Sequence, residues 1–375
     1  MVNLILAAPN DLWAKLIGWF NGFIPSYGWT IVVITILLKL VLTPLDVWQR
    51  IISKKNTEKM AVLQPQIEKL NKRYANDKEK LNQKTMELYK KENYNVMGFC
   101  LPMLINMVLT LVIFITFFNS LNGISQYKVK TEYETLQATY IQTLKTELID
   151  ETSFTEIDNT TLKQILDELS SSENYETLLA EAKATAQSAT LDKFTEIKEG
   201  FLWVKNIFRP DTYASVFPDA KEFINISGTK FNYSAENKFI NIYGEEFDTK
   251  TAAKQAFIND FNDVTAEINK EYSGWNGYLI LVVLAALITV GSQLISQIGV
   301  KKTVKDKKGN ELQVQNPGSN KLMMFLLPAL MVVISLQYSA AFALYIVVNS
   351  LMSALIGLAT NLILVRIEKK KEGVK

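Results

Sequence analysis

Five long apolar runs constrain this chain more than any other feature of its sequence. The runs cover Trp29–Val47, Met97–Phe118, Gly277–Ile298, Leu322–Gln337 and Phe342–Val365. A hydrocarbon core about 30 Å thick is crossed by roughly 20 residues of helix, and all of the runs except the fourth reach that length comfortably. The sequence therefore predicts an all-α polytopic membrane protein with a five-helix transmembrane core, whose spans are 29–48, 97–118, 277–298, 322–337 and 342–365.

Charge is segregated along the chain. Residues 119–276 hold 26 acidic and 15 basic residues, whereas the rest of the chain holds 12 acidic and 25 basic residues. The basic residues outside 119–276 are concentrated in Arg50–Lys91, Lys301–Lys321 and Arg366–Lys375, after the first, third and fifth runs. Because cytoplasmic loops carry the excess of lysine and arginine, we expect the N-terminus outside, and segments 49–96, 299–321 and 366–375 in the cytoplasm.

Residues 1–28 predict an amphipathic helix on the outer membrane surface. Apolar residues recur there at spacings of three and four, namely Leu12, Leu16, Trp19, Phe20 and Phe23. Asp11 and Lys15 interrupt the apolar stretch, and Met1 is not followed by the basic residues that open a secretory signal. An uncleaved or poorly marked signal remains the alternative.

Residues 49–96 predict a cytoplasmic helical hairpin. Two apolar stripes at helical spacing are separated by the polar pair Asn76–Asp77, which predicts two short helices joined by a turn. Pro65 marks a helix start or a bend. The alternative for such a charged segment is a solvated linker.

Residues 119–276 predict an extracytoplasmic α+β insertion domain. Ile124–Glu199 contains neither glycine nor proline and predicts two or three helices. Aromatic and β-branched pieces at Phe223–Ser227, Lys230–Ser234 and Lys238–Tyr243 favour a small antiparallel meander. A last helix is indicated by four residues at helical spacing, namely Phe257, Phe261, Val264 and Ile268.

Lys39 is the residue that most directly suggests a function. It lies in the middle of the first run, where an uncompensated charge costs about 2.5–3.5 kcal/mol. No span contains a carboxylate at the same depth, so we expect Lys39 to face water, protein or a substrate. A structural ion pair with Asp46, two helical turns onward, is the alternative.

Amide side chains in other spans complete a candidate groove. We assign Asn106, Gln293, Gln297 and Asn349 to it together with Lys39. Each amide could also tie two helices together. One cation with amides from several helices, however, predicts a hydrated cavity through which a ligand moves.

The composition argues against catalysis. Histidine is absent, which removes the commonest general base and metal ligand, and Cys100 is the only cysteine. No glycine-rich phosphate loop occurs, so no nucleotide, cofactor or metal is expected. We therefore do not expect an enzyme.

About 200 residues resemble the YidC-type membrane protein insertases. The resemblance is strongest over Met60–Met107, which is similar to that family's cytoplasmic hairpin and next span. Thr35–Leu45 and Leu322–Leu351 are similar to its first core span and last two spans, and Phe201–Tyr213 resembles its short outer loop. Lysine at position 39 and asparagine at 106 stand where arginine and glutamine are usual. The outer turn after Gln337 lacks the usual proline and glycine.

The resemblance implies an insertase in the bacterial cell membrane. Its groove would be open to the cytoplasm and would carry the positive charge of Lys39. The implied partners are nascent membrane proteins, membrane lipids, and the ribosome and signal recognition machinery through the hairpin and basic tail. The Sec translocon is a further candidate. One alternative is a small-molecule transporter or channel, in which Lys39 attracts an anion. The other is a receptor or surface-assembly protein anchored by the spans.

Overall fold

The protein is mostly helical and divides into two compact units. The computed structural model describes residues 4–157, 160–225, 230–231, 233, 238–296, 303–305, 311–313 and 321–372. The first unit comprises Met1–Ile31, Phe118–Val282 and Ser335–Ala343. The second unit comprises Val32–Phe117, Val283–Ile334 and Leu344–Lys375. Every segment predicted outside the cell falls in the first unit, and every segment predicted in the cytoplasm falls in the second.

Eleven helices occur in the described residues. In chain order they are α1 Leu12–Asn21, α2 Tyr27–Arg73, α3 Lys78–Lys91, α4 Val96–Ile149, α5 Leu162–Leu169, α6 Tyr175–Ile197, α7 Ala220–Ile224, α8 Lys250–Glu271, α9 Ile280–Ser296, α10 Lys321–Gln337 and α11 Ala340–Glu372.

Each predicted span lies largely in one of these helices, but the helices begin and end at other residues than the predicted spans. α2, α4 and α11 contain apolar stretches long enough to cross a membrane, whereas the apolar helix Ile280–Ile295 is shorter. α2 continues past residue 48 to Arg73, and α4 continues past residue 118 to Ile149. The five-span core therefore stays a prediction.

The six short strands form three two-stranded antiparallel sheets in the described residues. They are β1 Leu4–Ile5, β2 Lys230–Phe231, β3 Phe239–Ile240, β4 Glu246–Phe247, β5 Thr303–Lys305 and β6 Glu311–Gln313, paired β1–β2, β3–β4 and β5–β6. The predicted meander is wrong in its first piece and in its pairing: β2 and β3 do lie in the second and third predicted pieces, but they pair with β1 and β4 and not with each other. Residues 226–229, 232 and 234–237 of this prediction lie outside the described residues. Phe223 lies in α7, which begins because the Asp219 carboxylate accepts from the Glu222 N–H at 2.7 Å. β2 pairs with the N-terminal β1, with Leu4 opposite Phe231.

The N-terminal helix is shorter than predicted. Asp11 caps α1 by accepting from the N–H groups of Trp13 and Ala14, so the helix has 10 residues. Leu12 and Trp19 in α1 and Phe23 just after it are exposed, whereas Ile17 is buried. Three apolar residues of the predicted stripe are therefore exposed, and the position of α1 on the outer membrane surface stays a prediction.

The hairpin has the predicted turn, but its first arm is part of α2. Asp77 caps α3 by accepting from the Lys80 N–H at 3.0 Å. Tyr94, after the end of α3, hydrogen-bonds with Asn56 in α2. Because this bond returns the chain to α2, α3 runs back along the same helix. Pro65 lies inside α2 and does not begin a new helix.

Aromatic rings form the core of the first unit beside α4, α7 and α8. Tyr133 on α4 stacks on Phe261 of α8 with ring centroids 4.7 Å apart and also contacts Phe223 of α7. The Thr190 hydroxyl of α6 donates to the Val264 carbonyl at 3.0 Å. The periodicity of Phe257, Phe261, Val264 and Ile268 is confirmed, since all four residues are buried in α8.

Candidate functional site

The Lys39 side chain forms an ion pair with Asp46 in the second unit. Its Nζ lies 3.0 Å from Asp46 Oδ2, and the two side chains are 10% and 16% exposed. Residues seven apart lie on one face of a helix, two turns from each other, and the long lysine stem covers that distance. The expectation of a cation without a carboxylate partner is therefore wrong, and the alternative pair with Asp46 is present.

Asn106 connects α4 to this pair. Its amide Nδ2 donates to Asp46 Oδ1 at 3.2 Å and also to Gln49 Oε1. Its Oδ1 accepts from the Thr110 hydroxyl at 3.5 Å. One Asp46 carboxylate is thus held by a cation from its own helix and an amide from another helix. We call Lys39, Asp46, Gln49 and Asn106 the polar cluster.

Arg50 adds a second positive charge beside the polar cluster. The Arg50 guanidinium interacts electrostatically with Asp46. It also packs against Gly357 of α11, where an added Cβ would lie 2.9 Å from Nη2. Sequence reasoning missed Gln49 and Arg50, although positions 39, 46 and 50 are spaced by seven and four, which places them on one helix face.

The other predicted groove residues lie on α9 and α11. Gln293 and Asn349 are half-buried on these two helices. Next to Asn349, the Ser350 hydroxyl lies 3.2 Å from that of Thr289 on α9, so the two helices are joined by a polar contact. Gln297 lies outside the described residues. A common groove for these side chains with Lys39 stays a prediction.

A second buried polar constellation lies in the first unit, on the loop Phe201–Tyr213. The Asn276 side chain accepts from the Asn206 N–H at 2.8 Å and donates to the carbonyls of Asn206 and Pro210, both at 2.9 Å. Asp211 Oδ2 accepts from the Leu281 N–H at 2.7 Å in the first turn of α9. The loop resembling the family's outer loop therefore caps an apolar helix.

Two carboxyl groups of the first unit are buried where ionisation is unfavourable. Burial raises the pKa of Glu132 to about 8, although a hydrogen bond from the Asn206 amide opposes the shift. Burial likewise raises the pKa of Asp260 to about 7, although a hydrogen bond from the Ile242 N–H to its carboxylate lowers the pKa in part. The folded unit therefore favours the neutral form of both groups.

We expect the free energy of unfolding to fall as the pH rises from about 4.5 to 8. Both folded-state pKa values lie above the ordinary values of 4.5 and 3.8, so the stabilisation is complete below those values and is lost as the pH rises through the folded pKa. Thermal unfolding of the protein in detergent at pH values between about 4.5 and 8 measures this dependence of stability on pH. Glu132→Gln should flatten the dependence, and an unchanged slope in this variant would contradict the assignment.

The described residues contain no group of three or more cysteine, histidine or acidic side chains that could hold a metal ion. The site is instead a set of charged and amide groups on apolar helices, three of which are long and apolar enough to cross a membrane among the described residues.

Comparison with known proteins gives the family. The family described as "60Kd inner membrane protein" matches residues 19–366. The chain belongs to this family, which is that of the YidC and Oxa1 proteins.

Curated relatives match over shorter stretches. "Membrane protein insertase YidC" of Aromatoleum aromaticum is 41% identical over 101 residues, which cover 27% of this chain and 17% of the relative. The protein of the same name from Fusobacterium nucleatum is 39% identical over 101 residues, covering 27% of this chain and 47% of the relative. The protein of the same name from Xanthomonas oryzae is 46% identical over 87 residues, which cover 23% of this chain and 14% of the relative. These matches thus span less than half the length of each relative. No solved structure matches the chain.

Proposed function

We propose that this protein is a membrane protein insertase, which moves client transmembrane segments and their short polar tails into the bilayer. The polar cluster is the observation that carries the proposal. Charged groups inside apolar helices are costly and are kept where they act on a moving ligand. Family membership and the name that the relatives share support the same activity. They do not favour a transporter.

In this proposal Lys39, Asn106, Gln293, Gln297 and Asn349 line a hydrated groove that opens to the cytoplasm and to lipid. A polar client tail occupies the groove, so it leaves bulk water without meeting the full hydrocarbon barrier. The client's apolar segment meanwhile moves into lipid through the open side. Burial of its apolar surface, at about 25 cal/mol per Å², supplies the driving force, so no nucleotide is required.

The ion pair sets how the groove receives an acidic tail. Lys39 and Arg50 carry two positive charges against the single negative charge of Asp46, so this part of the groove attracts anions. A client carboxylate competes with Asp46 for the Lys39 ammonium. Asp46 then keeps the Asn106 amide and the charge of Arg50 as partners. Exchange of this kind leaves no charge unpaired, and an unpaired charge would be costly here because the side chains of Lys39 and Asp46 are only 10% and 16% exposed.

The proposed topology places the N-terminus outside and the C-terminus in the cytoplasm. The charge segregation supports it, and so does the division into units, which separates the predicted outer segments from the predicted cytoplasmic ones. The hairpin carries 12 basic and 6 acidic residues between Arg50 and Glu92. Ribosomes, the signal recognition machinery and anionic lipid headgroups are its proposed partners, and the Sec translocon is a further candidate.

Reconstitution tests the proposal directly. The purified protein in liposomes should raise the protease-protected fraction of a single-span client with a short acidic tail several-fold over protein-free liposomes. A matched client, with its tail carboxylates changed to amides, should gain less, because the net positive charge no longer attracts it. Equal protection with and without the protein would overturn the proposed function. Equal gains for both clients would overturn only the role of charge.

A further inference from the structure

Five large side chains of the first unit are exposed around the places where two apolar helices begin. They are between 50% and 69% exposed, and we call them the apolar collar: Trp29, Leu202, Tyr213, Trp275 and Tyr278. Trp29 lies in the first turn of α2, and Tyr278 lies two residues before α9. Large apolar groups clustered at a surface indicate an interaction site.

Ring contacts join the collar residues into neighbouring pairs. The rings of Tyr213 and Trp275 have centroids 4.3 Å apart, and those of Trp275 and Tyr278 are 6.5 Å apart. On the other side, the Phe201 ring packs on Trp29 at 5.5 Å, and Leu202 follows Phe201 in the chain. Leu202 is thereby held close to the start of α2.

Backbone hydrogen bonds join the chain from Lys205 to Ala214 to the segment that precedes α9. The Lys205 N–H donates to the Asn276 carbonyl at 3.0 Å, and the Asn276 N–H donates to the Ala214 carbonyl at 2.9 Å. The Gly277 N–H donates to the Thr212 carbonyl at 3.3 Å. The collar residues are therefore carried by segments that hydrogen bonds hold together next to the helix starts.

Two leucines of this surface have a backbone conformation that leucine rarely adopts. Leu202 has φ 55° and Leu279 has φ 62°. Glycine or asparagine adopts this left-handed region at lower cost. Strain of this kind persists where the surroundings require it, and at position 202 its result is a leucine side chain presented outward.

We propose that the apolar collar is inserted into the headgroup region of the bilayer leaflet at which α2 and α9 begin. Tryptophan and tyrosine favour this level, since each joins an apolar ring to a polar tip. Large apolar side chains are also exposed farther along the two helices, among them Leu37 on α2 and Val283 and Leu287 on α9. A lipid surface is therefore the partner that fits the collar. The loop Phe201–Tyr213 is then held at the membrane surface by lipid as well as by its own hydrogen bonds.

Depth-dependent quenching tests this placement in the full-length protein. In a Cys100→Ser background, Leu202→Cys and, separately, Tyr213→Cys would carry an environment-sensitive fluorophore in vesicles of phosphatidylethanolamine and phosphatidylglycerol. A lipid with a nitroxide near its headgroup should quench both positions at least about threefold more than a control position, and aqueous iodide should quench them correspondingly less. Both substituted side chains are exposed, so neither change disturbs the core.

Ser172→Cys is the matched control in the same unit. Ser172 is exposed and follows α5, whose Glu168 accepts from the Ser153 N–H at 2.8 Å just beyond the end of α4. That end lies about 46 Å along α4 from Phe118, at 1.5 Å per residue. Iodide quenching at positions 202 and 213 equal to that at 172 would overturn the proposal. Protection from both quenchers would also overturn it, because a protein and not lipid would then cover the collar.

Discussion

Lys39→Met is expected to lower the free energy of unfolding by about 3 kcal/mol, measured by chemical unfolding in mixed micelles. The variant removes the cation that lies 3.0 Å from Asp46 and leaves a poorly exposed carboxylate behind. Breaking a buried pair in this way costs about 3–5 kcal/mol. The lower end applies because the Asn106 amide and the charge of Arg50 still stabilise Asp46.

The double variant Lys39→Met/Asp46→Asn should recover most of this loss, since it leaves no uncompensated charge. It thereby separates the folding role of the pair from its proposed role with clients. In the liposome assay we expect the double variant to insert the acidic-tailed client poorly, whereas Lys39→Arg keeps the charge and the insertion. A folded double variant that inserts this client as well as the wild type would show that the pair is structural only.

Gly277→Ala is expected to destabilise the protein by about 3 kcal/mol, because the site has no room for a methyl group. An added Cβ would overlap Asp211 Oδ1 and lie 2.7 Å from its Cγ and 3.1 Å from its backbone Cα. Asp211 is fully buried and holds the Leu281 N–H, so it cannot turn away without losing that bond. Overpacking costs about 1–3 kcal/mol and a lost hydrogen bond about 1 kcal/mol.

Gly291→Ala supplies the matched control within the same segment. Among the described residues, no atom other than those of the adjacent residues and of the α9 backbone lies within 4 Å of a Cβ built at Gly291, which is inside α9. Alanine at that helix position should be neutral or should stabilise the protein by up to about 1 kcal/mol. The two glycine variants should therefore differ in sign when their unfolding is compared in the same micelles. Equal destabilisation by both would mean that the packing around Asp211 is looser than described.

Local periodicity predicted much of the helical structure. The stripe Phe257, Phe261, Val264 and Ile268 gave α8, and the polar pair Asn76–Asp77 gave the turn before α3. Such signals succeed because each helix buries one face, and the apolar residues of that face recur at spacings of three and four.

The limits of α2 and α4 were not predictable in the same way. Hydropathy changes at residues 48 and 118, but a change of surroundings does not require a break in the backbone, and both helices continue. Pairing of β1 with β2 joins segments more than two hundred residues apart and leaves no local pattern. At Phe223, aromatic and β-branched neighbours favoured a strand, whereas the cap from Asp219 favoured the helix that forms.

At the candidate site, the sequence identified Lys39 and Asn106 but offered the ion pair between Lys39 and Asp46 only as the alternative. The depth of each charged group in the membrane was estimated from its position in the first apolar run, and Asp46 lies near the end of that run. The flexible lysine stem crosses two turns, so equal depth was not needed for the pair. Gln49 and Arg50 follow from the same helix face once Asp46 is included.

The hydrogen bond from Leu281 to Asp211 has a consequence for the order in which the protein itself is made. Asp211, which accepts the hydrogen bond, is translated 70 residues before Leu281, whose N–H donates it. When the first turn of α9 leaves the ribosome, the loop that will hold it has already been synthesised. The start of this helix is thus fixed by a part of the chain that has to arrive on the same side of the membrane first.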